Sequence, residues 1–224
     1  MMMIIIGASN IDNFLYEKYK SPNYKFLGTY NNTYTNADEL SKIDVTDYKQ
    51  VSDWVENNID FLENITLINC AGITYNSFAH KSDPDAWKKV IDVNLVGTFN
   101  CTRAILPIMR SQKFGRIINF SSVVASKGTP RISAYTASKS ALWGMSKSLA
   151  QENAGLNITI NNINLGYSEL GMINQVSQEF LDALVKQIPA KNLCEPIDIF
   201  RTVDYLINCD YISGSSIDLK GVLI

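Results

Sequence analysis

The sequence predicts an α/β fold, a doubly wound parallel sheet of about seven strands with helices on both faces. Short, near-continuously apolar runs recur along the chain, and longer segments with helical spacing separate them. Strands buried on both faces read as unbroken apolar runs, and parallel strands need helical crossovers between them. At 224 residues, 46% hydrophobic and 19% charged, the chain suits one globular domain spanning 1–224. Such sheets bind ligands beyond the carboxyl ends of their strands.

The elements follow in order. Met2–Ile6 is a wholly apolar first strand, and Gly7 breaks it before a helix over Ile11–Lys20. Tyr24–Thr29 and Ser41–Asp44 read as the next strands, joined by an Asn-rich surface loop at 30–36. A helix over Asp47–Asn57 starts at a capping residue, Thr46 or Asp47. Ile65–Asn69 is the fourth strand, followed by one long helix over Pro84–Arg110. Gly115–Phe120 is a β-branched fifth strand, Ser133–Asn153 a helix, and Ile158–Ile163 the sixth strand. A helix over Pro196–Asn208 and a strand over Ser216–Leu219 close the series.

Composition narrows the function. A net charge of −2 with scattered basic residues offers no general attraction to nucleic acid. No apolar run approaches the ~18–20 residues of a membrane span, and the start lacks a basic leader. Cys70, Cys101, Cys194 and Cys209 form no Cys-x-x-Cys pair, which fits a reduced, cytoplasmic protein. With His80 the only histidine, neither a metal site nor a Ser-His-Asp triad finds support.

The informative constellation is Tyr135-Thr-Ala-Ser-Lys139, with Ser122 thirteen residues before the tyrosine. Helix positions i and i+4 share a face, so the Lys139 ammonium can stand beside the Tyr135 phenol. A phenol ordinarily titrates near pH ~10, and a neighbouring cation favours its ionised form. Lysine is therefore expected to lower the tyrosine pKa towards the range useful for proton transfer. Ser122, ending a strand that faces the helix, adds a hydroxyl to hold a carbonyl or alcohol oxygen. Taken alone, Tyr-x-x-x-Lys is a common surface pattern; the strand before it and the helix around it make it a site.

These residues resemble the short-chain dehydrogenase/reductase family, in its 3-oxoacyl-carrier-protein-reductase-like branch. Asn69-Cys-Ala-Gly72 is similar to the family's Asn-Asn-Ala-Gly strand end, and Asp92-Val-Asn94 to its helix-borne asparagine. Tyr211-Ile-Ser-Gly-Ser-Ser-Ile-Asp218 is similar to its last loop and strand. The resemblance implies a Rossmann-type oxidoreductase with Asn94, Ser122, Tyr135 and Lys139 as the catalytic set. Asn94 would anchor a water in the proton relay; its plainer reading is a polar kink in a long helix.

Tyrosine and lysine move protons but supply no hydride, so the reading requires a nicotinamide cofactor. The resemblance places it against Gly7, Ser9, Asn10 and Ile11 in the first turn, and against Tyr30 and Asn31 after the second strand. Further along come Asp44 and Val45, then Asn69, Ala71 and Gly72, then Tyr135 and Lys139, and finally Gly166 and Ser168. Two stretches depart from the family. Gly7-Ala-Ser-Asn-Ile-Asp-Asn13 keeps one of three turn glycines and sets Asp12 where a phosphate belongs. Leu165-Gly166-Tyr-Ser-Glu-Leu170 loses the proline and the threonine hydroxyl, for which Ser168 is the substitute. Thr29-Tyr-Asn-Asn32 carries no acidic residue to repel a 2′-phosphate, which favours NADP(H) over NAD(H).

The substrate is a small carbonyl or alcohol compound, with a carrier-bound acyl group among the options. Lys113, Arg116, Lys127 and Arg131 are the basic residues that would meet an acidic carrier. Met172, Ile173, Val176, Phe180, Leu181 and Leu184 either line the cleft or form a packing stripe. The resemblance implies a homodimer or homotetramer through the faces of 90–109 and 141–149. The competing reading, prompted by the degenerate glycine turn, is a dinucleotide-binding regulator without turnover.

Overall fold

The computed structural model describes residues 1–7, 10–31, 40–170 and 177–223. Among them the chain runs β1 (Met2–Ile6), α1 (Asn10–Tyr19), β2 (Lys25–Tyr30), β3 (Leu40–Lys42), α2 (Tyr48–Asn57), β4 (Ile65–Asn69) and α3 (Pro84–Ile91). It continues through α4 (Thr98–Gln112), β5 (Gly115–Ser122), α5 (Val124–Lys127), α6 (Ser133–Asn153), β6 (Ile158–Leu165), α7 (Gln178–Gln187), α8 (Pro196–Asn208) and β7 (Ser216–Leu219). The strands make one parallel sheet in the order β3-β2-β1-β4-β5-β6-β7.

The period of two along β1 explains the layering. Met2, Ile4 and Ile6 join α2, α4 and α6 on one face, through Val51, Trp54, Val55, Ile105, Met109 and Ala150. Met3 and Ile5 point the other way, against Leu15 and Tyr19 of α1 and Ile199, Val203 and Leu206 of α8. A smaller cluster of Val123, Val124, Ile188 and Leu223 lies apart, with Tyr135 and Tyr167 packed against it.

Local chemistry sets the helix ends. Asp47 caps α2, accepting from the amides of Lys49 and Gln50 at 2.9 and 3.3 Å. Asp83 caps α3 at the Ala86 amide, with Pro84 in the first turn. α4 ends on Lys113 in the left-handed region, φ 52°.

The expected single helix over 84–110 is interrupted. Residues Asp92–Gly97 form a π-helical turn between α3 and α4. Such a turn carries one residue more than an α-turn and thereby re-aims the side chains around it. Here the re-aimed side chain is Asn94, 0% exposed. Strands β5 and β6 also run two residues beyond their expected ends, pairing Ser121 with Asn164 and Ser122 with Leu165.

Candidate active site

The carboxyl ends of β1, β4, β5 and β6 open on one edge of the sheet, and the predicted site residues gather there. Tyr135 and Lys139 share a face of α6: the lysine Nζ stands 5.7 Å from the centre of the tyrosine ring. Lys139 is 4% exposed, and its Nζ donates to the Phe120 carbonyl of β5 at 2.6 Å. Burial pulls its pKa down to about 8, slightly countered by Cys70 nearby. Ser122 ends β5, and its Oγ accepts from the Val124 amide at 3.4 Å.

The phenol corrects an expectation. Burial raises the Tyr135 pKa above its ordinary value; the pull downward comes from a hydrogen bond with Ser122. Lys139, engaged with Phe120, does not outweigh the loss of water around the ring.

Asn94 closes the back of the site. Its Oδ1 accepts from the Ile73 amide at 2.8 Å, and its Nδ2 donates to the Ile73 carbonyl and to Ser138 Oγ, each at 3.0 Å. Ser138 in turn donates to the Tyr135 carbonyl at 2.8 Å. Asn94 is thus tied to the first turn of α6, as well as being the polar residue of the helix interruption. Ser138 is absent from the sequence-derived set; its spacing of three from Tyr135 put it on the right face, but nothing marked its role.

The cofactor-side residues divide. Gly7 has φ 95°, and a Cβ there would come 2.5 Å from the Ala71 Cα, so the ends of β1 and β4 touch at this point. Gly72 leaves open a place 3.5 Å from both Lys139 Nζ and Asn94 Oδ1. Asn69 is buried and donates to Asn119 Oδ1 at 2.8 Å. Asp44 accepts from the amide and hydroxyl of Thr46, while buried Val45 packs against Gly97 of the π-turn. Tyr30 ends β2, with its carbonyl accepting from Ile43 at 2.8 Å, and Asn31 follows in the open. Ile11 packs on the α1–α8 side. Gly166 packs against the Lys220 backbone. Ser168 is 4% exposed and accepts from the Leu170 amide at 3.0 Å, so it holds its own turn.

Ser9 lies outside the described residues, as do the side chains of Asn10 and Asp12. The same holds for Met172, Ile173, Val176 and the Phe180 side chain; Leu184 is buried, on the packing side of that choice. Two of the proposed carrier contacts are also corrected. Lys113 and Arg116 sit at the start of β5, the opposite end of the sheet from the site, and Arg116 is 2% exposed. Lys127 and Arg131 follow β5 on the site's side.

The family model described as short chain dehydrogenase matches residues 8–180. The chain is 40% identical over 158 residues to an acetoacetyl-CoA reductase of Shinella zoogloeoides, covering 69% of this chain and 66% of that one. It is 38% identical over 184 residues to the acetoacetyl-CoA reductase of Rhizobium meliloti, covering 80% and 76%. It is 37% identical over 157 residues to a 3-oxoacyl-[acyl-carrier-protein] reductase of Staphylococcus epidermidis, covering 69% and 64%. The matched part spans roughly two thirds of the length of these curated relatives. A parallel sheet in this strand order, a Tyr-x-x-x-Lys helix packed on it and a family match over most of the chain lead to one assignment: the protein belongs to the short-chain dehydrogenase family.

Proposed function

We propose that the protein is an NAD(P)(H)-dependent oxidoreductase that interconverts a ketone and a secondary alcohol, with Tyr135 as general acid and base. One observation carries the proposal: the Tyr135 ring and the Lys139 ammonium share a helix face 5.7 Å apart, at the strand end that holds Ser122. The residues present fit a nicotinamide nucleotide. Gly72 keeps side chains away from the space beside Lys139 Nζ and Asn94 Oδ1, and Gly7 gives a bare strand end beside Ala71. When bound, that group supplies or accepts the hydride.

The chain's own residues do the rest. Tyr135 gives its proton to the ketone oxygen, and its raised pKa keeps that proton in place at neutral pH. Ser122 holds the same oxygen by hydrogen bond. Lys139 grips the ribose and presents positive charge towards the phenolate that forms. Asn94, through Ser138, sets the turn of α6 that carries Tyr135. Tyr30 and Asn31 bear no carboxylate, which favours NADP(H) over NAD(H).

The relatives' names supply the first substrates to try, short 3-oxoacyl thioesters on coenzyme A or an acyl carrier, with Lys127 and Arg131 facing an acidic carrier. The four cysteines form no disulfide among the described residues, which accords with a cytoplasmic setting, and exposed Val96 and Phe99 supply an apolar face for a homodimer or homotetramer. NADPH and NADH are titrated by fluorescence, and acetoacetyl-CoA reduction is then followed by nucleotide absorbance. Tyr135→Phe is expected to lower kcat by about 10²–10⁴-fold with nucleotide affinity unchanged. Equal turnover by that variant overturns the assignment. Nucleotide binding without turnover of any ketone by the parent chain points instead to the regulatory reading.

A further inference from the structure

The face of the sheet under α6 carries polar side chains where apolar packing is the norm. In the register of β5, β6 and β7, Asn119 lies beside Asn162 and Asn162 beside Ser216; two residues on, Ser121 lies beside Asn164 and Asn164 beside Asp218. The first rung is joined to α6 through Ser146: Asn119 Nδ2 donates to its Oγ at 3.0 Å, and that hydroxyl donates to Asn162 Oδ1 at 2.8 Å. The second is joined through Trp143, whose Nε1 lies 3.1 Å from Ser121 Oγ and 2.7 Å from Asn164 Oδ1. Asn164 Nδ2 then donates to Asp218 Oδ1 at 2.8 Å, and Asp218 pairs with Lys220 at 3.0 Å.

This second rung ends on Lys139. The Ser121 hydroxyl has one proton, which it donates to the Lys139 carbonyl at 2.9 Å; its lone pair takes the Trp143 N–H. The next residue back, Phe120, accepts from Lys139 Nζ. Consecutive residues of β5 therefore hold the backbone and the side-chain tip of one lysine. Trp143, at i+4, bridges that hold to the neighbouring strand. Apolar packing lets a helix shift by fractions of an ångström, whereas bonds between fixed donors and acceptors set both its rotation and its height.

We propose that Trp143 and Asn164 are positioning residues for Lys139, locking α6 to β5 and β6 so that the ammonium stays on the Phe120 carbonyl at the edge of the cleft. The inference rests on the role given above to Lys139. The titratable groups facing that ammonium are Tyr135 on its own helix and Cys70 beyond β4.

The test uses Trp143→Phe, Asn164→Ala and the pair together, in the full chain. Trp143→Phe keeps most of the ring but leaves Asn164 Oδ1 without its donor; the double variant removes that orphan as well. Each is expected to lower kcat for ketone reduction about tenfold with KM for nucleotide and ketone within about twofold, since small misplacements act on the reacting geometry. In the double variant Tm returns towards the parent value while kcat stays low. Recovery of kcat together with Tm overturns the proposal, because the rung is then merely structural.

A second readout needs no turnover: the pH dependence of Lys139 reductive methylation by formaldehyde and borohydride, read by mass spectrometry. The parent midpoint is expected near 8, and in the variants it moves up towards the ordinary lysine value of ~10.4 as the amine gains water. An unchanged midpoint in folded variants also overturns the proposal. If the parent chain reduces no ketone, the oxidoreductase reading fails, and the methylation midpoint still decides whether Trp143 and Asn164 place Lys139.

Discussion

Lys139 holds a charge in a place that disfavours it. Its pKa falls to about 8 because burial penalises the ammonium. An unfolded lysine stays protonated to pH ~10.4, so between about 8 and 10.4 the unfolded chain binds more protons and this group makes stability rise with pH. Below 8 the buried charge is a fixed penalty. Lys139→Met is therefore expected to raise stability by about 1 kcal/mol at pH 7, the lost donor to Phe120 offsetting part of the gain. Chemical denaturation across pH checks it: the gap between variant and parent should narrow as pH rises from 8 to 10. The proposed ketone reduction by the parent chain should decline over the same range as the ammonium discharges. That Tyr135 and Lys139 share a face was legible from spacing, since i and i+4 meet on any helix, and the strand before them marked the pair as a site. The direction of the Tyr135 shift was not, because it depends on how much water the fold removes. Arg116 was misplaced for a similar reason: in sequence it is only a basic residue near a strand.

The period of apolar residues located every predicted strand to within a few residues, and capping chemistry located the start of α2. The π-turn at Asp92–Gly97 escaped, because its residues continue the helical pattern of their neighbours and only Gly97 breaks it. What places that turn is contact with another element: a Cβ on Gly97 would come 2.4 Å from Val45 Cγ2. α7 went unassigned, its apolar residues being equally consistent with a cleft lining. The polar rungs of β5 and β6 were also hidden, since asparagine in a strand ordinarily signals exposure. Gly7 joins two elements, and its substitution is a sharp probe of their approach. Gly7→Ala combines a φ of 95° with a clash on the Ala71 backbone, and should destabilise by about 2–5 kcal/mol. Denaturant midpoints measure that loss, and fluorescence titration should show NADPH affinity falling with it.

Across the whole molecule, β4 at the centre, with β1 beside it, joins the two halves of the sheet, and helices from both halves cover each face. Arg116 fastens the lower edge. Buried under the ring of Phe114, it donates to the carbonyls of Ile207, Gly115 and Asn157 and pairs with Asp210, joining β5 to the ends of α8 and the start of β6. Arg116→Met removes the side-chain donor to Ile207 and the cation paired with Asp210, while Asn157 keeps the Gly115 amide, and should cost about 3 kcal/mol, roughly 6–12 °C in Tm for a chain of this size, as calorimetry would show. The upper edge is built differently. There the small cluster of Val123, Val124, Ile188 and Leu223 stands outside both large cores and supports the Tyr135 ring. A patch that small gives way to heat before the sheet does. On warming, the proposed ketone reduction should cease while circular dichroism is still that of the folded chain, and Leu223→Ala should widen the gap between those temperatures.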